Sequence, residues 1–291
     1  MLDFNSAPHS KDEKRYHRKR RFFKRYDRGV LSHRTQSNYD LRLIILRHAE
    51  RVDQILGQDW YEKVFGGVPS APPQAYRHPA LPQKLPIRSN TLLYVFDPPI
   101  TRLGEQQSMA KGQQLSQVGA TVDYCYSSPA SRSILTANAI LKGMNRSNVP
   151  IRLEPYLFEP MNWNTGLVLL DRVSPFMSSG EWRKSGYNID PRYHRINNYL
   201  NTSENENGYY MRTRNLFDAI EHRHSQTRKQ RSTILIVGHA SSTEIFTTIA
   251  LRLPFDSNEF VHQSDRVPYL HTAVLERDAY THTWYLRSVL M

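Results

Sequence analysis

Residues Leu41 to Asp53 read Leu-Arg-Leu-Ile-Ile-Leu-Arg-His-Ala-Glu-Arg-Val-Asp, and this stretch decides the fold. Leu43 to Leu46 is an unbroken apolar run with two β-branched residues, too short for a helix. It predicts a buried strand of a parallel sheet. The run stops at Arg47-His48, and Arg51 follows within one turn. In open α/β sheets, ligands bind beyond the carboxyl ends of the strands, where the strand order reverses. Two arginines and a histidine delivered to that edge suit an anion, most naturally a phosphoryl group.

The same arrangement occurs a second time. Ile234 to Val237 is another short apolar run, and it ends in Gly238-His239-Ala240-Ser241-Ser242. Of the 12 histidines, His48 and His239 are the two that directly follow a strand-like run and open a turn. His271 also lies in an apolar stretch, Val267 to Leu275, but in mid-strand, as a core or edge histidine would. Two strand ends aiming imidazoles at one sheet edge is the pattern to be tested.

Outward from these runs, Gly66 to Pro99 is proline-rich and reads as a long functional loop. Thr101 reads as the N-cap of a helix running to about Val118. Asp123 to Tyr126 reads as a strand, and Pro129 as the opening of a helix that carries Arg132 in its first turns. A cation there, beside free backbone N–H groups, helps hold an anion. Ile151 to Leu153 is a third short strand, with Leu157-Phe158-Glu159 just beyond it. Residues 160–208 are polar and Asn- and Ser-rich, with Trp163 and Trp182, and read as a lid-like insertion over the sheet edge. Tyr209 to His224 is helical, with His222 and His224 expected as a surface pair rather than metal ligands. A helix from about Ser242 to Leu253 and strands near Val267–Glu276 and Thr283–Ser288 complete the chain. The alternation predicts an α/β fold: a doubly wound, mostly parallel sheet with helices on both faces.

Composition narrows the class. The chain has 291 residues, enough for one large α/β domain, and a single cysteine, Cys125, which argues against a disulfide framework. No stretch approaches the roughly 20 apolar residues of a membrane span, and the amino terminus lacks an apolar signal core. The expectation is an intracellular, cytoplasmic protein. The formal net charge is +12, and residues 1–40, with eleven Lys or Arg against five Asp or Glu, carry +6 of it. Lys11 to Arg28 alternates cations with Tyr16, Phe22, Phe23 and Tyr26. Three readings stay open for this segment: a disordered tail, a nuclear-import signal, or an electrostatic contact to nucleic acid or acidic lipid.

Taken together, Arg47-His48-Ala49-Glu50-Arg51, Arg132 after Ser-Ser-Pro, Glu159 and the strand-end His239 resemble the histidine phosphatase superfamily, the phosphoglycerate-mutase-like proteins. Within it, Gly57-x-x-Trp60, Asp97-Pro-Pro-Ile-Thr101, Leu157-Phe158-Glu159, Ile234 to Ser242 and Pro268-Tyr269-Leu270 resemble the Sts-type (suppressor of T-cell-receptor signalling) and ecdysteroid-phosphate phosphatases. Ala49 stands where the superfamily usually has Gly, and Pro160 where Sts-type enzymes tend to carry Trp. The resemblance implies a phosphatase domain over residues 41–291, acting on phosphotyrosine or a related aryl or steroid phosphate. His48 would be the nucleophile that forms a phosphohistidine, and Glu159 the general acid. Arg47, Arg51, Arg132 and His239 would bind the phosphate, His239 adding a donor when protonated. Glu50 and Asp53 would pair with the site arginines, and Trp60 would pack. No metal or cofactor is implied. The implied partners are a phosphorylated protein or small molecule and a second copy in a homodimer. The ubiquitin-binding and Src-homology domains of vertebrate Sts proteins are not expected here. Other branches, a sugar-phosphate phosphatase or mutase, and a catalytically inactive phosphate-binding scaffold remain alternatives.

Overall fold

The quoted stretch is strand β1 (Tyr39–Arg47) in the computed structural model, which describes residues 38–164, 174–196, 200–225 and 231–290. It lies inside a six-stranded sheet with β2 (Tyr124–Ser127), β3 (Ile151–Leu153), β4 (Ser232–Gly238), β5 (Thr272–Asp278) and β6 (Trp284–Leu290). The strand order is β3-β2-β4-β1-β5-β6. β1 to β4 pair in parallel, β5 joins β1 antiparallel, and β6 joins β5 antiparallel. The helices, in chain order, are α1 (Val52–Leu56), α2 (Trp60–Phe65), α3 (Leu93–Phe96), α4 (Arg102–Gln117) and α5 (Ser131–Gly143). They continue with α6 (Ser179–Lys184), α7 (Glu206–Ser225), α8 (Ala240–Ala250) and α9 (Ser257–Ser264).

Successive side chains of a strand point to opposite faces, so β1 serves two cores. Ile44 and Leu46 join Leu235 and Val237 against α4 and α5, where Leu115, Ile134 and Ile140 are buried. Leu41, Leu43 and Ile45 join Ile234 and Ile236 against α7, α8 and α9, where Leu216, Phe246 and Phe260 are buried. The sheet is therefore covered on both faces, which is why its central strands read as continuous apolar runs. α4 and α5 meet backbone to backbone. A Cβ at Gly112 would stand 2.2 Å from the Ile140 carbonyl oxygen, and one at Gly143 2.0 Å from that of Met109. Only glycine allows that approach.

Register sets the edge that matters. Arg47 lies opposite Gly238 in the β1–β4 pair, and Ser127 opposite Val237 in the β2–β4 pair. The ladder extends one step further, with His48 N–H donating to the Gly238 carbonyl at 2.9 Å and Ser128 N–H to that of Val237 at 3.0 Å. Three parallel strands thus end level, and the chain leaves them at His48, His239 and Ser128.

Several expectations shift in detail. β1 begins at Tyr39, so the sheet takes in two residues assigned to the tail; residues 1–37 lie outside the described residues. Pro129 does not open a helix, since α5 starts at Ser131 with Ala130 as its N-cap. His271 is not in mid-strand: β5 begins after it at Thr272, and its N–H closes a turn onto the Pro268 carbonyl. Part of the 160–208 segment packs inward instead of covering the edge. Met177, Trp182, Tyr187 and Ile189 belong to the α4–α5 core, and Ile189 forms a parallel bridge with Ile151. Residues 165–173 and 197–199 of that segment lie outside the described residues. Among the described residues, no helix is long and apolar enough to cross a membrane.

Candidate active site

His48 is the first residue past β1 and is buried. Its Nδ1 lies 2.8 Å from the Ala49 carbonyl oxygen. A carbonyl only accepts, so this contact assigns the proton to Nδ1 and leaves the lone pair on Nε2. Burial, then the nearby Arg132 guanidinium and His239, hold the imidazole well below its ordinary pKa. The result is a neutral ring of fixed tautomer, with a nucleophilic nitrogen at neutral pH. The turn after it is anchored by the Ala49 N–H, which donates to Thr136 Oγ1 of α5 at 3.0 Å.

His239 occupies the same place at the end of β4, and its ring stands edge-on to that of His48 with centroids 5.4 Å apart. Its Nδ1 lies 3.3 Å from Arg132 Nη2 and its Nε2 2.9 Å from Ser128 Oγ. A guanidinium only donates, so Nδ1 accepts and Nε2–H donates to the serine. Burial and then Arg132 hold the pKa of His239 well below its ordinary value as well, so the donor role that the resemblance implies for a protonated His239 requires an added negative charge beside it.

Arg132 is the second residue of α5 and almost wholly buried. The helix start that carries it is fixed from far along the chain by Asp97. That carboxylate accepts from Ser131 N–H at 2.8 Å and Ser131 Oγ–H at 2.6 Å, capping α5 where Ala130 has no side-chain acceptor. Arg132 Nη2 donates to Glu159 Oε1, which also stands 3.8 Å from His239 Nδ1. Glu159 therefore points into the cleft, and Pro160 has not turned it away.

Arg47 donates through Nη1 to the Val267 carbonyl and lies over the Tyr269 ring, 4.3 Å from its centroid. Burial pulls its pKa down; Tyr269 and Glu159 oppose that, while Arg51 and Arg132 add to it, so these groups share one field. Arg51 is forked by Asp53, with Nε donating to Oδ1 at 2.9 Å and Nη2 to Oδ2 at 2.5 Å. Asp53 thus does pair with a site arginine. Glu50 does not, since its carboxylate accepts from Thr101 Oγ1 at 2.7 Å and helps hold the start of α4. Among the described residues no cluster of His, Cys, Asp and Glu is arranged to hold a metal ion. All six side chains expected at the site, Arg47, His48, Arg51, Arg132, Glu159 and His239, converge on the carboxyl edge of β1, β2 and β4.

Sequence reading missed several contributors. In the sequence, Asp97 stands out only as part of Asp97-Pro-Pro-Ile-Thr101. Arg212 on α7 belongs to no motif, yet its guanidinium bonds the backbone carbonyls leading up to Glu159. The signal was available: Tyr209, Arg212, Thr213, Leu216, Phe217, Ile220 and His224 recur at helical spacing and are the buried residues of α7. A cation on that apolar stripe must be paired. The same stripe corrects the expected surface pair. His224 is buried, with Nε2 2.9 Å from Tyr126 Oη and its ring 4.3 Å from that of Tyr124. Trp60 packs in the core as expected.

Residues 95–284 match the family described as histidine phosphatase superfamily, branch 1. The ubiquitin-associated and SH3 domain-containing protein B of Homo sapiens is 32% identical over 250 residues, 84% of this chain. The matched region is 37% of that relative's length, so the chain spans well under half of the curated relatives it matches. The ecdysteroid-phosphate phosphatase of Bombyx mori is 29% identical over 216 residues, 74% of this chain and 31% of that protein. In three dimensions the chain is similar to the crystal structure of the ecdysone phosphate phosphatase of the same species in complex with tungstate. The TM-score is 0.69 at 26% identity, covering 85% of this chain and 92% of that one. With the family match running from α3 to the first residue of β6, about two thirds of the chain, the chain belongs to branch 1 of the histidine phosphatase superfamily.

Proposed function

We propose that this protein is a phosphomonoester hydrolase that works through a phosphohistidine on His48, with phosphotyrosine or a related aryl or steroid phosphate as substrate. The observation that carries the reading is the state of His48: neutral, proton fixed on Nδ1, and surrounded by guanidinium groups. Phosphate monoesters are among the most inert of biological bonds, and dividing their hydrolysis into two displacements lowers each barrier.

In the first step, Nε2 of His48 attacks phosphorus and the P–O bond to the leaving group breaks. Arg47, Arg51 and Arg132 take up charge on the equatorial oxygens. Glu159 acts as the general acid, passing a proton to the departing oxygen. In the second step, Glu159 takes a proton from water as that water attacks phosphorus, and His48 is released with inorganic phosphate. A phosphoryl dianion placed beside His239 favours its charged form, opposing the burial that keeps it neutral. An aryl or steroid leaving group fits against the Tyr269 ring, which lies next to Arg47 and His48. The substrate class also follows the similarity to the ecdysteroid-phosphate phosphatase.

The test is rapid-quench labelling with a 32P-labelled aryl phosphate. Acid-labile, base-stable label is expected on His48, and His48→Ala should be folded, unlabelled and inactive. Label on a serine, or turnover by His48→Ala, would overturn the reading.

A further inference from the structure

Glu159 sits in a segment with no ladder of its own, between a 3-10 turn at Pro155–Leu157 and another at Met161–Trp163. Pro160 follows it and offers no N–H by which the chain could be anchored. The carbonyls are held instead. Arg212 Nη1 donates to the Tyr156 carbonyl at 2.7 Å and to that of Phe158 at 3.0 Å, and Nη2 donates to the carbonyl of Glu159 itself at 3.3 Å. The far side of the same guanidinium is forked by Glu204, with Nε to Oε1 at 2.8 Å and Nη2 to Oε2 at 2.6 Å. Both side chains are almost fully buried.

A planar guanidinium gripped on one side presents its remaining N–H groups in a fixed direction, which a lysine ammonium cannot do. Stability alone does not account for the pair, because a buried ion pair is often no more stabilising than apolar residues of the same volume. What the pair supplies is geometry. We infer that Arg212, oriented by Glu204, is a positioning residue that fixes the backbone of Glu159 and so keeps its carboxyl against Arg132 and His239, where a leaving oxygen would be protonated. The inference rests on the role of Glu159 proposed above. Arg212 touches no reacting atom, and it acts through Glu159.

A positioned acid matters in proportion to the basicity of the leaving oxygen, so the readout is leaving-group dependence. Replacing the pair by apolar side chains, Arg212→Met with Glu204→Met, avoids leaving a buried charge unpaired. This variant should lose about 10²-fold in kcat/KM on an alkyl phosphate, the range of a removed general acid, and far less on p-nitrophenyl phosphate. Inhibition by inorganic phosphate should be unchanged, because Arg47, Arg51 and Arg132 are untouched. In a Glu159→Gln background the same double replacement should cost nothing further on the alkyl substrate, as expected for residues acting as one unit. Arg212→Lys should recover part of the alkyl activity. Should the double variant fail to fold, Glu204→Gln carries the test, since it loosens the fork but leaves the carbonyl bonds possible, and the same selectivity is expected at smaller size. Equal losses on both substrates, or a full additional loss in the Glu159→Gln background, would mean that Arg212 only supports the fold. If Glu159→Gln itself spares the alkyl substrate, the general-acid role fails and the inference falls with it. If Glu159→Gln discriminates and the pair replacement does not, positioning alone is refuted.

Discussion

Replacing His224 by Gln should reverse the order of stability of the two proteins between neutral and acid pH. Burial, then the charges of Arg152 on β3 and Arg223 on its own helix, lower the folded pKa of His224 to about 4, and Asp123 beside β2 opposes them only in part. In the unfolded chain the imidazole titrates near 6.5, at roughly its model value. Below that pH the unfolded state binds a proton that the folded state refuses. The unfolded state therefore holds more protons, and stability is lost as pH falls from about 6.5 towards 4. At ~1.4 kcal/mol per pKa unit, the wild type gives up at most about 3 kcal/mol through this one residue. Glutamine keeps a polar group for the Tyr126 hydroxyl but loses the ring contact with Tyr124, costing about 1 kcal/mol at pH 7.5. At pH 4.5 that cost should be exceeded, leaving His224→Gln more stable than wild type by about 1–2 kcal/mol. Urea unfolding of both proteins across this range measures the difference, in which the contributions of His48, His239 and Asp97 cancel. A gap that stays constant within ~0.5 kcal/mol would show that His224 takes up its proton equally in both states, and the argument from burial would be wrong.

Gly112→Ala gains about 1 kcal/mol of helix propensity but drives a methyl group into the Ile140 carbonyl, so α4 and α5 must part. A net loss of about 1–3 kcal/mol by thermal unfolding is expected, with weaker inhibition by inorganic phosphate because α5 carries Arg132. Asp97→Ala strips the acceptor from Ser131 and should cost about 1–3 kcal/mol, again with weaker phosphate inhibition measured against p-nitrophenyl phosphate. Wild-type phosphate inhibition of the same strength in either variant would refute the link from helix position to Arg132. Deleting residues 1–37 should leave kcat for a small substrate unchanged, while abolishing any salt-sensitive binding to DNA or anionic vesicles; a loss of turnover would place those residues in the domain.

The parts of the site that were legible in the sequence are those whose position follows from a strand end. Leu43–Leu46 and Ile234–Val237 each announce a buried strand, and a polar residue following such a run has little choice but to emerge at the carboxyl edge. Arg132 was legible because helix dipoles and anions go together. What stayed hidden depended on contacts between segments far apart in sequence. Nothing local says that Asp97 would cap a helix starting at Ser131, or that Arg212 would reach back to residues 156–159. The surface assignment of His224 failed for a different reason. The pair His222 and His224 is a local pattern, whereas the environment of each ring is set by the buried stripe of α7, which His224 continues and His222 does not.

The level ends of β1 and β4 have a practical consequence for anyone wishing to redesign this protein. The spacing of the two imidazoles is inherited from the backbone ladder, with Arg47 facing Gly238 and His48 N–H bonded to the Gly238 carbonyl. The proline-rich loop of residues 66–99 takes no part in that ladder. It is nevertheless tied to the rest of the molecule, since Tyr76, Leu81, Leu85 and Tyr94 lie in the core and Asp97 holds the start of α5. A redesign can vary the exposed residues between those five anchors without resetting the distance between the two rings.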